Sequence, residues 1–151
     1  MTIRIRYPRY VASQPLHGSV TRVVRPRPVI AITVVGPTGA HLINGLVDTG
    51  ADDSVFPVEV GEKIGLDLSL AEVGTAHGVG GPDVEVRYVD VRLRIADNQE
   101  HREWIARVGF APLGSTYALL GFAGFLQYFT ACFHGDLEFV ELTTNALYPG
   151  T

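Results

Sequence analysis

Short stretches in which apolar and polar residues alternate recur along the 151-residue chain, and they constrain its fold more than any other feature. A period of two places the apolar side chains on one face of a β-strand. The clearest strand candidates run over residues 29–35, 89–95 and 104–110, with turn-forming clusters at 36–39 and 97–100. Many short strands with closely spaced turns predict an all-β fold, built as a barrel or a sandwich.

Two further details of the pattern lead to specific expectations. The apolar positions change phase by one residue between Val86 and Val89, which predicts a bulge or bend near Tyr88. Helix candidates are few: residues 57–64 can form one short helix and residues 121–128 a second. The chain is therefore expected to carry one or two short helices on a β framework.

The composition disfavours several classes of protein. Hydrophobic residues make up 46% of the chain and charged residues 19%, so we expect a packed core rather than disorder. There is no apolar run of the roughly 18 residues that cross a membrane, and no leader-like N-terminus, so we expect a cytoplasmic protein without a membrane partner. The single cysteine, Cys132, excludes an intramolecular disulfide, and its apolar neighbours predict a core position rather than a nucleophile.

The sequence predicts neither a metal ion nor another cofactor. Its histidines are scattered, without the spacing of metal ligands, and one cysteine cannot build a cysteine-based zinc cluster. The histidines are His17, His41, His77, His101 and His134. We interpret them as surface or hydrogen-bonded histidines.

Arginine is concentrated at the N-terminus, where the first 28 residues contain no acid. The arginines are Arg4, Arg6, Arg9, Arg22, Arg25 and Arg27. Such an arm could contact nucleic acid or an anionic surface. We favour an edge strand, because Ile3, Ile5 and Tyr7 alternate with arginines, and because the net charge of −4 disfavours general affinity for nucleic acid. Acids near the C-terminus would then face the arm, namely Asp136, Glu138 and Glu141.

The most informative stretch covers residues 46–55. Leu46 and Val47 end an apolar strand, and Asp48 follows in a tight turn beside Thr49 and Gly50. An ordinary turn is one interpretation, since aspartate and glycine are favoured in turns for local reasons. The other interpretation is a catalytic carboxylate held at the end of a strand.

Residues 46–55 resemble the active-site segment of the retropepsins, the single-domain aspartic peptidases of retroviruses and their cellular and bacterial relatives. Two more segments match that family in the same order. Residues 78–81 resemble its glycine-rich flap tip, and residues 118–121 resemble its second signature, apolar residues and a glycine before the C-terminal helix. We accordingly divide the chain into a basic N-terminal arm (1–28), a retropepsin-like domain (29–145) and a C-terminal tail (146–151).

The resemblance implies a closed β-barrel with a flap hairpin, and it implies peptide hydrolysis by a water molecule that two carboxylates activate. Two carboxylates in contact cannot both ionise, so they share a proton and supply the acid and the base together. The chain contains one Asp-Thr-Gly. A second copy must therefore provide the other Asp48, and we expect a homodimer that acts on a peptide or protein substrate.

The family also implies roles for individual residues. Asp48, Thr49 and Gly50 form the catalytic turn, in which Thr49 hydrogen-bonds across the dimer axis. Ala51 has no hydroxyl group with which to stabilise an ionised Asp48, so we expect activity at weakly acidic pH. A solvated turn is an equal alternative for Asp53. The substrate-binding residues implied by the family are Ala51, Asp52, Asp53, Gly78, Val79, Gly80, Gly81 and Leu120.

One segment departs from the family pattern. Phe122 and Ala123 follow Gly121, where family members often carry a polar residue that braces the active-site turn. Arg107 or an arginine of the arm would then have to replace the usual partner of Asp52. This departure leaves an alternative function open, a catalytically weak retropepsin-like domain that dimerises or binds peptides.

Overall fold

A computed structural model describes residues 2–11 and 24–151, so His17 and Arg22 lie outside the described residues. Strands predominate, as the alternating pattern predicts. In chain order the strands are β1 (Thr2–Arg6), β2 (Arg9–Val11), β3 (Val24–Pro26), β4 (Val29–Gly36), β5 (Gly39–Val47), β6 (Val55–Pro57), β7 (Glu72–Ala76), β8 (Val84–Ala96), β9 (His101–Ala111), β10 (Ala118–Leu120), β11 (Phe129–His134) and β12 (Phe139–Thr144). Short helical elements are α1 (Val58–Lys63) and 3₁₀ turns at Leu68–Leu70 and Leu126–Tyr128.

Six strands close into a barrel in the order β4-β5-β10-β6-β9-β8, and pairing between β8 and β4 completes the ring. The expectation of an all-β barrel is confirmed. Strand β10 pairs in parallel with β5, β6 pairs in parallel with β9, and the other neighbours in the ring are antiparallel. The parallel pairing of β10 with β5 places the ends of these two strands side by side, which positions the candidate site.

Strand β8 is long enough to take part in both the barrel and the hairpin with β7. One of its edges pairs with β9, while the other pairs first with β7 and then with β4. The register with β9 is continuous from Arg87 to Ala96, so there is no bulge near Tyr88, and the alternative of a bend stays a prediction. The phase change has another cause: Val86 faces a small second apolar cluster, whereas Val91 faces the main core.

The core of the barrel is built from the alternating face of β9, as predicted. Trp104, Ala106, Val108 and Phe110 are all buried. Trp104 packs against Phe125, Phe129 and Tyr148 at centroid distances of 6.0, 5.3 and 6.0 Å. Its indole N–H donates a hydrogen bond of 3.0 Å to the carbonyl of Gly124. The aromatic cluster therefore ties the C-terminal residues to the barrel, and the boundary drawn after residue 145 stays a prediction.

The N-terminal arm begins with a strand that packs onto this core. Strand β12 lies between β1 and β11 in a separate three-stranded sheet, and Ile3 is fully buried in the main core. Arg4 pairs with Glu141 at 2.6 Å and Arg9 with Glu138 at 2.8 Å. The interpretation of the arm as a half-buried strand whose arginines face C-terminal acids is confirmed for these pairs. In this single chain, β1 pairs with its own β12.

The two helix candidates differ in outcome. Residues 57–64 contain α1, as predicted. Residues 121–128 form a single 3₁₀ turn rather than an α-helix, because Gly124 has a φ of 86° that the right-handed helix does not allow. Within the described ranges 2–11 and 24–151, no helix has the length and apolar character needed to cross a membrane.

Candidate active site

The Asp48 turn follows directly from the end of β5. The backbone N–H of Asp48 donates to the carbonyl of Leu120 at 3.0 Å, and the carbonyl of Asp48 accepts from Ala51 N–H at 3.2 Å. The carboxylate oxygen Oδ1 accepts a hydrogen bond of 2.9 Å from the N–H of Gly50. The side chain is half-buried, while Thr49 and Gly50 are exposed. One carboxylate is therefore held in a defined direction at the end of a buried strand.

The second signature segment lies against this turn. Strand β10 runs parallel to β5, with Leu120 beside Val47. Beyond it, Phe122 N–H donates to Ala51 carbonyl at 2.9 Å, and Ala123 N–H donates to Asp52 carbonyl at 2.8 Å. The sequence-predicted motifs, more than sixty residues apart in the chain, are thus joined by backbone hydrogen bonds.

Gly121 is the closest point of this junction. A Cβ atom at position 121 would lie 2.3 Å from the carbonyl oxygen of Asp53 and 2.6 Å from that of Ala51. These are backbone atoms, which cannot rotate away as the end of a side chain can. The apolar-glycine signature therefore has a direct physical reason: only glycine lets the two segments approach this closely.

Asp53 is anchored to the barrel rather than being a solvated turn residue. Its carboxylate oxygen Oδ2 accepts a hydrogen bond of 2.8 Å from the hydroxyl of Tyr88 on β8. Burial, and then this hydrogen bond and the charge of Asp53, raise the pKa of Tyr88 to about 12. Sequence reasoning missed Tyr88 as a site residue; the change of apolar phase near it was the available signal. Whether Asp53 also meets substrate stays a prediction.

Residues 77–83 connect β7 to β8 and carry the predicted glycines. The two strands form an antiparallel hairpin from Glu72↔Tyr88 to Ala76↔Val84. Gly80 has a φ of 69°, and a Cβ at any of the three glycines would meet nothing within 4 Å; they are Gly78, Gly80 and Gly81. The side chain of Val79 is completely exposed. The hairpin therefore has an open tip without local packing.

Leu120 does not lie where the family would place a substrate-binding side chain. It is fully buried in the main core, where it packs against Gly45. Its carbonyl supports the backbone of Asp48. We therefore assign Leu120 to the support of the Asp48 turn.

Arg107 does not replace the missing brace of Asp52, and that suggestion is wrong. It is ion-paired with Glu72 and Asp90. In the ranges 2–11 and 24–151, no arginine pairs with the exposed carboxylate of Asp52. Phe122, which occupies the place of a polar residue in the family, is 60% exposed. The side of the turn that faces away from the barrel is thus acidic and apolar rather than ionically braced.

Cys132 is exposed, so the prediction of a core position is wrong. On β11 the apolar residues Phe129, Ala131 and Phe133 alternate with Thr130, Cys132 and His134, so the cysteine lies on the polar face of the strand. Its thiol lies near His134 and Glu141.

A groove of about 890 Å³ lies elsewhere, between α1, β5 and the loop before β10. Its polar lining includes His41, Asn44, Glu59 and Lys63. None of the predicted site residues lines this groove. The groove does not adjoin the Asp48 turn, which remains the candidate site.

No protein-family model matches the chain, and no curated protein matches its sequence. The resemblance to the retropepsins therefore depends on the three segments themselves and on the way in which two of them meet.

Proposed function

We propose that the chain is an aspartic endopeptidase of the retropepsin kind, active as a homodimer in which each subunit supplies one Asp48. The observation that carries the proposal is the junction at Gly121, where the second signature segment is hydrogen-bonded to the turn that directs the Asp48 carboxylate. An incidental Asp-Thr-Gly turn would not require a distant glycine of that kind in contact with its backbone.

The proposed chemistry uses a pair of Asp48 side chains that share one proton across a twofold axis. The ionised carboxylate takes a proton from water as the water oxygen adds to the peptide carbonyl carbon, and the protonated carboxyl donates to the carbonyl oxygen. The carboxyl that took the proton from water then gives it to the amine nitrogen as the C–N bond breaks, and the other carboxylate takes a proton from a hydroxyl of the tetrahedral intermediate, which restores the pair with one shared proton. The hydrogen bond from Gly50 N–H keeps the carboxylate oriented throughout.

The β7–β8 hairpin is proposed as a flap over the cleft, and its open glycine tip supports that assignment. Closure would exclude water and bring backbone groups near Val79 to an extended substrate. Ala51, Asp52 and Asp53 are proposed to line the cleft, with the peptide bound as an added strand. We place the enzyme in the cytoplasm, with peptides or proteins as its substrates.

The test is cleavage of a mixed peptide library between about pH 4 and pH 7, with the oligomeric mass recorded on the same samples. Wild type is compared with Asp48→Asn and with Asp136→Asn, a control at an exposed acid of the β11–β12 hairpin. We expect cleavage by wild type and Asp136→Asn as dimers, and loss of turnover by at least about a thousandfold in folded Asp48→Asn. Equal cleavage by Asp48→Asn, or full activity of a monomer, would refute the shared-aspartate mechanism.

The exposed Phe122 favours a second candidate function, a domain that dimerises or binds peptides without efficient hydrolysis. An apolar side chain in place of a polar brace can supply association without supporting the catalytic turn. The same samples separate the two functions. A folded wild-type dimer that binds peptides, cleaves none and is unaffected by Asp48→Asn would favour the binding domain.

A further inference from the structure

The outer face of the three-stranded sheet brings together three side chains of metal-binding type. Cys132 and His134 alternate on β11 and so share a face. Glu141 on β12 is the direct cross-strand partner of Cys132. The neighbours of Glu141 on its own strand, Val140 and Leu142, are buried in the core, which leaves Glu141 on the opposite, outer side.

The donor atoms are close enough to share one ion. The thiol sulfur, a ring nitrogen and a carboxylate oxygen of Cys132, His134 and Glu141 all lie within 4.8 Å of one another. His134 Nε2 and Glu141 Oε2 are 3.3 Å apart. Ligands at zinc distances in a tetrahedral arrangement are separated by roughly 3.3–3.7 Å. The His134–Glu141 spacing already fits, and the thiol lies within 4.8 Å of both donor atoms.

Neighbouring residues restrict two of the three side chains. The imidazole of His134 stacks on Phe139, with ring centroids 4.3 Å apart and planes 23° from parallel. Arg4 binds Oε1 of Glu141 at 2.6 Å, and this leaves Oε2 directed toward His134. Contacts that orient ligating side chains in this way strengthen metal sites because less conformational freedom is lost on binding.

We propose that Cys132, His134 and Glu141 form a binding site for a divalent ion of the zinc type. A thiolate and an imidazole select borderline and soft ions such as Zn²⁺ over Mg²⁺ and Ca²⁺, which prefer oxygen ligands alone. A water molecule completes four coordination on the exposed side. The bound ion cross-links β11 to β12 and so stabilises the sheet that carries the N-terminal strand. The site does not depend on the peptidase proposal.

The experiment is Zn²⁺ binding to the full chain by equilibrium dialysis under a reductant that does not chelate metals. Cys132→Ser and His134→Asn remove ligands, while His101→Asn removes an exposed histidine of β9 as a matched control. Asp48→Asn tests for adventitious binding at the candidate active site. We expect one zinc ion per chain, affinity lowered by at least about tenfold in the two ligand variants, and no change in His101→Asn and Asp48→Asn.

Co²⁺ provides an independent readout, because thiolate coordination gives a charge-transfer absorption that other ligands do not. Wild type is expected to develop this absorption, and Cys132→Ser is expected to lack it. If a ligand variant fails to fold, the cobalt spectrum of the wild type still shows whether a thiolate coordinates the ion. Absence of zinc binding to wild type would overturn the proposal and leave a hydrogen-bonded His134–Glu141 pair beside a free thiol. Binding that survives Cys132→Ser, or that Asp48→Asn abolishes, would overturn it equally.

Discussion

The junction of the Asp48 turn with Gly121 and the tip of the β7–β8 hairpin both depend on glycine, yet glycine has opposite physical roles in them. At Gly121 an added Cβ would lie 2.3 Å from a backbone oxygen, so the residue is small because its surroundings are full. At Gly78, Gly80 and Gly81 an added Cβ would meet nothing within 4 Å. The turn is held by packing and by several backbone hydrogen bonds. The tip glycines have no packing neighbours; the loop is closed only by a long hydrogen bond of 3.4 Å from Gly81 N–H to the carbonyl of Gly78 and by an exposed contact of 2.5 Å between His77 and Asp83.

This contrast is the one that the proposed hydrolytic function would require. A reacting carboxylate gains from a fixed direction, since small displacements of a catalytic group cost large factors in rate. A segment that admits and releases an extended peptide must instead open at low free-energy cost. The comparison therefore predicts that the same substitution, glycine to alanine, has a large effect at the turn and a small one at the tip.

The largest effect is expected for Gly121→Ala. The new methyl group must displace the carbonyl oxygens of Ala51 and Asp53, and overpacking against backbone should lower the free energy of unfolding by about 3 kcal/mol or more. Denaturant titration measures the change. Gly114→Ala is the matched control, because a Cβ there meets nothing within 4 Å, and its change should stay below about 0.5 kcal/mol. Equal stabilities of the two variants would contradict the close approach at Gly121.

An intermediate effect is expected where the hairpin strand reaches the turn, at the hydrogen bond from Tyr88 to Asp53. Tyr88→Phe removes the donor and leaves a half-buried carboxylate without it, which should cost about 1–2 kcal/mol of unfolding free energy. Tyr128→Phe is the control, since this tyrosine is half-buried like Tyr88 but lies in the 3₁₀ turn at Leu126–Tyr128, away from Asp53. If Tyr128→Phe loses as much unfolding free energy as Tyr88→Phe, the loss cannot be assigned to the hydrogen bond between Tyr88 and Asp53.

The same pair of proteins tests the ionisation of Tyr88. Its pKa rises to about 12 in the folded chain, mainly through burial, from an ordinary value of 10.0. A raised pKa favours the protonated phenol in the folded state, so this contribution to stability is complete below pH 10 and is lost as the pH rises toward 12. Wild type should lose more unfolding free energy than Tyr88→Phe across that range. Parallel pH profiles would show that Tyr88 does not titrate in this way.

Much of the framework could be predicted because it follows from local periodicity. The alternation of Trp104 and its neighbours identified the buried face of β9, and the apolar run before Asp48 identified β5. Pairing could not be predicted so directly. Strand β10 has only three residues, and its place between β5 and β6 depends on contacts far along the chain.

The two errors in the site have different origins, a distant partner for Arg107 and apolar sequence neighbours for Cys132. Arg107 was a possible brace for Asp52 until the register of β8 and β9 placed it beside Asp90. Cys132 has the apolar neighbours Ala131 and Phe133 in sequence, but the alternation of β11 places it on the face of Thr130 and His134, opposite Glu141 of β12. Local pattern predicts which residues form a strand, whereas the neighbours across the sheet decide what each side chain meets.

The smallest effect is expected at the hairpin tip, for Gly80→Ala. Its φ of 69° disfavours an L-residue by about 1–2 kcal/mol, but the open tip can relax into another turn, so the unfolding free energy should fall by about 1 kcal/mol or less. Gly81→Ala, where φ is ordinary and no atom is near, should be neutral. Hydrogen exchange provides the direct comparison: the amide of Val79 should exchange rapidly in every variant, while those of Phe122 and Ala123 stay protected by their bonds to the Asp48 turn. Strong protection at the tip would mean that it is held as firmly as the turn, and the division of roles between the two regions would fail.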